Sequence, residues 1–423
     1  MPLNPLKKRS QLALLMVAAT WFASPMAWAE VVTDWNVKAG DIVVGARLGP
    51  PPANRLLAIV QTAVYEAVNA ITRRYPPEHV PLHAAPGASV EAAVAAANRG
   101  TLAHLVPAQQ SIIETAYHTA LAMIADDPAK AAGIAVGEQA ATAILALRAD
   151  DGAAAPETYR PHTIPGVYVP TVIPAAPQWP QLKPWLMASA DQFRPEPPPS
   201  LTSEVWARDY NEIKAIGAKN STRRTPEQTE IARFWEYTLP PIYHGVVRSI
   251  ATIPGREVTQ NARLFMAVTQ ATDDALIAVL DAKYHYNFWR PITAIRNGDL
   301  DGNDATERDA SWVPFIDTPM HPEYPCAHCI ISAAVGTVLQ AEIGAGPIPT
   351  LTTTSATANG TARSWTTIDD FMQEVAQARI HDGVHYRTST EVGTAMGKQI
   401  GELAAAKYLQ PRNQKRASGS ARP

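Results

Sequence analysis

The sequence predicts an all-α protein in which two helical halves, built as paired bundles, are joined by a proline-rich crossover. Three observations carry this reading. Apolar residues recur at helical spacing in segment after segment. The period-two alternation of a half-buried strand is nearly absent. Between residues 156 and 199, prolines stand too close together for any long helix to form.

With 423 residues, 46% of them hydrophobic, the chain can bury the core of one large helical domain or two ordinary ones. A net charge of -3 excludes the electrostatic footprint of a nucleic-acid-binding protein. Any affinity for an anion must then come from a local cluster of side chains. Residues 1–29 read as an export signal. Lys7, Lys8 and Arg9 precede the apolar run Leu12–Ala23, and Ala27-Trp28-Ala29 supplies small residues for cleavage. That run is shorter than the ~20 residues a bilayer requires. The mature chain is expected to be periplasmic or secreted and not to span a membrane.

Residues 30–155 form the expected N-terminal helical half. Arg55–Tyr75 sets Leu56, Ile59, Val60, Ala63, Val64, Ala67, Val68 and Ile71 at helical spacing, and Pro76-Pro77 ends the run. Ala-rich helical patterns follow at 88–104, 109–125 and 128–149. The crossover, 156–200, carries Pro161, Pro165, Pro170, Pro174, Pro177, Pro180, Pro184 and the Pro197-Pro198-Pro199 run. Its interleaved Tyr168, Trp179, Trp185 and Phe193 argue for an ordered surface strap rather than a disordered linker. Helices resume at 202–218. Thr225-Pro226-Glu227-Gln228 then offers an N-cap, a first-turn proline and the glutamine of a capping box. Long patterns over 256–286, 328–342, 367–382 and 387–407 complete a C-terminal half spanning 201–410. The polar, basic tail 411–423 is expected to be disordered.

Three C-terminal segments hold the residues suited to chemistry: Lys283 to Pro291, His321 to His328, and Arg379 to His385. Lys283, Arg290 and Arg379 are three cations, and a guanidinium fork matches paired oxygens of a tetrahedral anion. Residues 326–328 lie where a loop enters a helix, so their N–H groups stand at its positive end. His328 and His385 supply two imidazoles, one for proton transfer and one as nucleophile or ligand. The only cysteines, Cys326 and Cys329, make no disulfide framework, though a local bridge between them is open.

In order and spacing these segments resemble the signature of the type 2 phosphatidic acid phosphatase superfamily, which includes the vanadium-dependent haloperoxidases. Lys283 and Arg290-Pro291 match its first part. Pro325-Cys326-Ala327-His328 matches Pro-Ser-Gly-His with Cys for Ser and Ala for Gly. Ala378-Arg379 and His385 match the third part, where Ser389 replaces an Asp. The 55–75 helix, the crossover and Asp274 upstream of Lys283 resemble the bacterial haloperoxidase-like branch, whose fold is all-helical.

The resemblance implies that Lys283, Arg290 and Arg379 bind the oxygens of vanadate or phosphate, helped by Cys326 and the Ala327 N–H. It implies His328 as general acid-base, and His385 as axial vanadium ligand or phosphorylated nucleophile. His321 would neighbour the halide, and Asp274 would stand behind the site. The cofactor would be vanadate and the substrates hydrogen peroxide and halide. In the alternative, an acid phosphatase, the same pocket would take a phosphate ester with no cofactor. A thiol-redox or metal site at Cys326–Cys329 lacks a second Cys pair, and a non-catalytic binding scaffold is the remaining reading. A bridge between the cysteines would remove the donor expected from Cys326.

Overall fold

The structure, a computed structural model, describes residues 25–409, with side chains from residue 30. The expected export signal lies almost wholly outside the described residues, and so does the tail from 411. Among the described residues the N-terminal helices are α1 (Pro25–Gly45), α2 (Pro50–Thr72), α3 (Val90–Leu105), α4 (Gln110–Ala122) and α5 (Pro128–Leu147). After the crossover come α6 (Glu204–Ile216), α7 (Pro226–Trp235), α8 (Pro241–Ala251), α9 (Val258–Tyr286), α10 (Pro291–Arg296) and α11 (Ala327–Ile343). A hairpin of β1 (Leu351–Thr354) and β2 (Ala362–Trp365) precedes α12 (Ile368–His381) and α13 (Arg387–Ala404).

Every helical pattern read from the sequence is a helix here, with ends moved by no more than five residues. The Thr225 capping box is formed, its side chain accepting from Gln228 N while the Gln228 side chain accepts from Thr225 N. The chain is mainly helical rather than purely so, because of the hairpin. Four-residue strands are too short for alternation to show, and α8 and α10 are short helices that start at prolines.

The long helix α9 is the axis of the fold. It is buried along nearly its whole length, from Val258 to Lys283. One core cluster runs from Val64 and Val94 in the first half through Phe265 and Ile277 to Val335 and Val375 in the second. Each large apolar side chain fully buried there contributes about 1.5–3 kcal/mol. Helix α9 is thereby fixed to both halves, and Lys283 in its last turn is held still.

The crossover is tied to α9 by carboxylates. Asp274 accepts from the backbone N–H groups of Trp185, Leu186 and Met187 (2.7–2.9 Å), and Asp273 accepts from Trp185 Nε1 (2.9 Å). Arg148 lies over the Trp185 ring, 4.2 Å from its centre. Asp274, expected behind the site, thus anchors the crossover, with both oxygens committed there.

Helices α11 and α13 approach through a glycine stripe. A Cβ at Gly393, Gly397 or Gly401 would lie 2.5, 2.2 or 2.9 Å from the backbone oxygens of Cys326, Ile330 and Ala334. Only glycine permits that approach. It brings the start of α13, with His385 just before it, against the start of α11, where His328 sits.

Candidate oxyanion site

Three chain reversals build the site. At the end of α9, Asn287 adopts a left-handed conformation (φ 51°) and turns the chain into Phe288-Trp289-Arg290. Pro291 then starts α10 with Arg290 as its extended N-cap. The crossover braces this turn, since Trp289 N donates to Gly166 O and Tyr168 N to Asn287 O. In the second segment, Glu323 N donates to Phe288 O (2.9 Å), which lays the 321–326 loop alongside the first. In the third, Gly383 (φ 79°) ends α12 so tightly that a Cβ there would meet Gly217 O at 2.3 Å. His385 follows, and Tyr386 caps α13.

These turns bring together six of the residues read from the sequence. Lys283 Nζ, wholly buried, donates to the carbonyls of Pro322 (3.0 Å) and Glu323 (2.7 Å). Arg290 donates through Nε to His321 O (2.8 Å), through Nη1 to Val384 O (2.9 Å) and through Nη2 to His321 Nδ1 (3.0 Å). Its Nη1 also stands 3.4 Å from His385 Nε2. Arg379 Nη1 pairs with Asp382 (2.5 Å) and donates to Trp235 O (2.9 Å). Among the buried polar atoms without a hydrogen-bond partner in the described residues are His328 Nε2 and Arg379 Nε, together with Glu323 Oε2.

Cys326 requires a correction. It is bridged to Cys329, so it has no S–H to donate. Its backbone N–H is spent on Ser389 O (3.1 Å), and Cys329 N donates to Cys326 Sγ. Of the donors expected at the start of α11, Ala327 and His328 N–H are left as the first two of the helix. Two buried carboxylates of the candidate site escaped the sequence reading, Glu323 and Asp382. Both lie inside the segments singled out there, and an acid beside each basic residue was the available signal. His385 Nδ1 donates to Glu323 Oε1 at 2.8 Å.

Burial sets the electrostatics. It drives Lys283 well below its ordinary value, with Arg290 adding to the effect, and it lowers Arg290 to about 10. Burial, reinforced by the neighbouring cations, also holds His321, His328 and His385 well below the usual imidazole value, so all three are neutral. The same desolvation pushes Glu323 and Asp382 up to about 7. Even with Lys283 left out of the count, two guanidiniums thus face two carboxylates that are only partly charged near neutral pH. The surplus is positive, and burying an uncompensated charge is costly. The larger surface grooves lie elsewhere, along α11, α12 and α13, and no cradle cation lines them.

Fold and site together define a helical-bundle protein with a buried cationic cradle flanked by neutral histidines. Residues 263–414 match the family model described as the VCPO second helical-bundle domain. The vanadium chloroperoxidase of Curvularia inaequalis is 27% identical over 260 residues, taking in 49% of this chain and 42% of that protein. The chain thus aligns with less than half the length of that curated relative. Among solved structures, a bacterial vanadium-dependent iodoperoxidase superposes with a TM-score of 0.75 at 22% identity, covering 92% of this chain and 98% of that one. A bacterial vanadium-dependent chloroperoxidase in its apo form gives 0.70 at 18% identity, covering 86% and 94%. Residues 263–414 are thus similar to the VCPO second helical-bundle domain, and the chain shares the fold of these vanadium-dependent haloperoxidases of known structure.

Proposed function

We propose that the chain is an exported, vanadate-dependent haloperoxidase-like enzyme that oxidises halide with hydrogen peroxide. The observation that carries this is the surplus of buried positive charge beside two unpartnered polar atoms, Arg379 Nε and His328 Nε2. A tetrahedral oxyanion fits such a cradle, because it supplies the missing charge, an acceptor for Arg379 Nε–H and, through a protonated oxygen, a donor for His328 Nε2. Vanadate, when bound, supplies a Lewis acid that activates peroxide toward halide attack.

The chain's own residues divide the remaining work. Lys283 and Arg290 hold positive charge on one side, each locked by backbone carbonyls. Arg379 adds a further charged donor, its free Nε–H. His385 donates from Nδ1, which leaves the Nε2 lone pair for the metal. His328, neutral and free at Nε2, is suited to take a proton from an anion-bound oxygen and return it. His321 is engaged by Arg290 through both its carbonyl and its ring, so it shapes the halide side through that cation.

One observation favours a second reading, a phosphatase acting through the same residues. A histidine paired with a buried carboxylate is also the arrangement of an activated nucleophile. His385 would then attack phosphorus while His328 protonates the leaving group. The test is bromide or iodide oxidation and p-nitrophenyl phosphate hydrolysis by the purified protein, each with and without orthovanadate. Halide oxidation that appears on adding vanadate is the expected result. Phosphate-ester hydrolysis that vanadate inhibits would overturn it in favour of the second reading.

A further inference from the structure

We infer that Glu323 is the positioning carboxylate of His385, taking over from the acid that the family signature carries at position 389. The inference rests on the site reading above only for what binds at Nε2. Glu323 Oε1 accepts from His385 Nδ1 (2.8 Å) and from Tyr386 N (3.1 Å), so one oxygen holds both the ring and the backbone beside it. The residue is wholly buried, and its backbone is rooted in the first segment. Its N–H goes to Phe288 O, and its carbonyl accepts from Lys283 Nζ. A single residue therefore links Lys283 at the end of α9 to the His385 imidazole just before α13.

Position 389 shows the complementary change. Ser389 is buried, and its hydroxyl faces Glu323, close enough to favour the charged carboxylate but outside hydrogen-bond geometry. Its carbonyl accepts from Cys326 N. The small side chain leaves room for a carboxylate that arrives from the loop instead of from α13.

The consequence is a fixed tautomer. With Nδ1–H held by Glu323, the Nε2 lone pair points toward Arg290 Nη1 and the cradle. In the other tautomer Nε2–H would oppose an Arg290 N–H, donor against donor. A carboxylate on Nδ1 also makes Nε2 a stronger electron donor, and loss of such a partner typically costs about 10–100-fold in metal affinity.

The experiment compares wild type, Glu323→Gln, Ser389→Asp and the double variant at pH 8. Proton and nitrogen NMR of histidine-labelled protein reads the His385 Nδ1–H, and calorimetry reads the affinity for orthovanadate and inorganic phosphate. The wild type is expected to show a strongly downfield Nδ1–H resonance. Glu323→Gln should lose that shift and about tenfold or more in anion affinity, and the double variant should recover both. A merely structural role would not be rescued by an acid at 389. The inference is overturned if the resonance is absent from wild type or unchanged in Glu323→Gln, or if the double variant recovers neither readout. Should the wild type bind neither anion, the site reading fails and the NMR result still decides the role of Glu323.

Discussion

Arg379 Nη1 stands 2.5 Å from an Asp382 oxygen, one turn along the end of α12, while its own Nε has no partner. Both residues are buried. The guanidinium is paired on one edge and open on the other. An anion approaching the open edge meets a donor that the fold has already oriented, so little entropy is lost on binding.

Arg379→Ala should therefore weaken orthovanadate and phosphate binding by at least about tenfold, since a charged hydrogen bond contributes about 1.5–3 kcal/mol. Calorimetry checks this, together with the rise in melting temperature that either anion gives by binding the native state alone. An unchanged affinity would remove Arg379 from the cradle.

His385→Ala should abolish turnover while leaving helical content intact, because the side chain bonds only to Glu323 and Arg290 and carries no helix. Circular dichroism and activity measured on one preparation check it. Near-normal turnover in the variant would end the assignment.

Native protein should show no titratable thiol when unfolded without reductant, and two after reduction, because Cys326 and Cys329 are joined. Replacing the pair as Cys326→Ser with Cys329→Ala returns a hydroxyl donor to the start of α11. That variant should bind phosphate or vanadate more tightly than wild type, by a few-fold, and should ignore dithiothreitol. Affinity equal to wild type would mean that the side chain at 326 does not face the anion.

The crossover anchor predicts a pH dependence of stability. Burial pushes Asp273 up to about 7 from an unfolded value of about 3.9, with one oxygen unpartnered. The native state thus holds a proton that the unfolded state releases. Its contribution is full below about pH 4 and is lost as pH rises through about 7. Asp273→Asn keeps an acceptor for Trp185 Nε1 and removes the titration. Its melting temperature should exceed that of wild type by a few degrees at pH 8, with the gap closing toward pH 4. A gap that widens on acidification would contradict this sign.

Much of this could be read from the chain alone, because it depends on periodicity and punctuation. Apolar spacing located α2, α9 and α13, and Thr225 with Gln228 marked the start of α7, since a helix's apolar face and its caps are local properties. The spacing of Lys283, Arg290, His328, Arg379 and His385 likewise marked the candidate site. Three matters were decided only by tertiary packing. Asp274 looked like a companion of Lys283 nearby in sequence, yet the Trp185 loop, remote in sequence, claims both its oxygens. Cys326 became a bridged sulfur and not a donor, a choice left open by two cysteines three residues apart. Glu323 met His385 across 62 positions because glycines let α13 settle onto α11. Spacing along a chain specifies which groups are present. Which of them touch depends on how closely the helices can approach, and that is a property of the packed core.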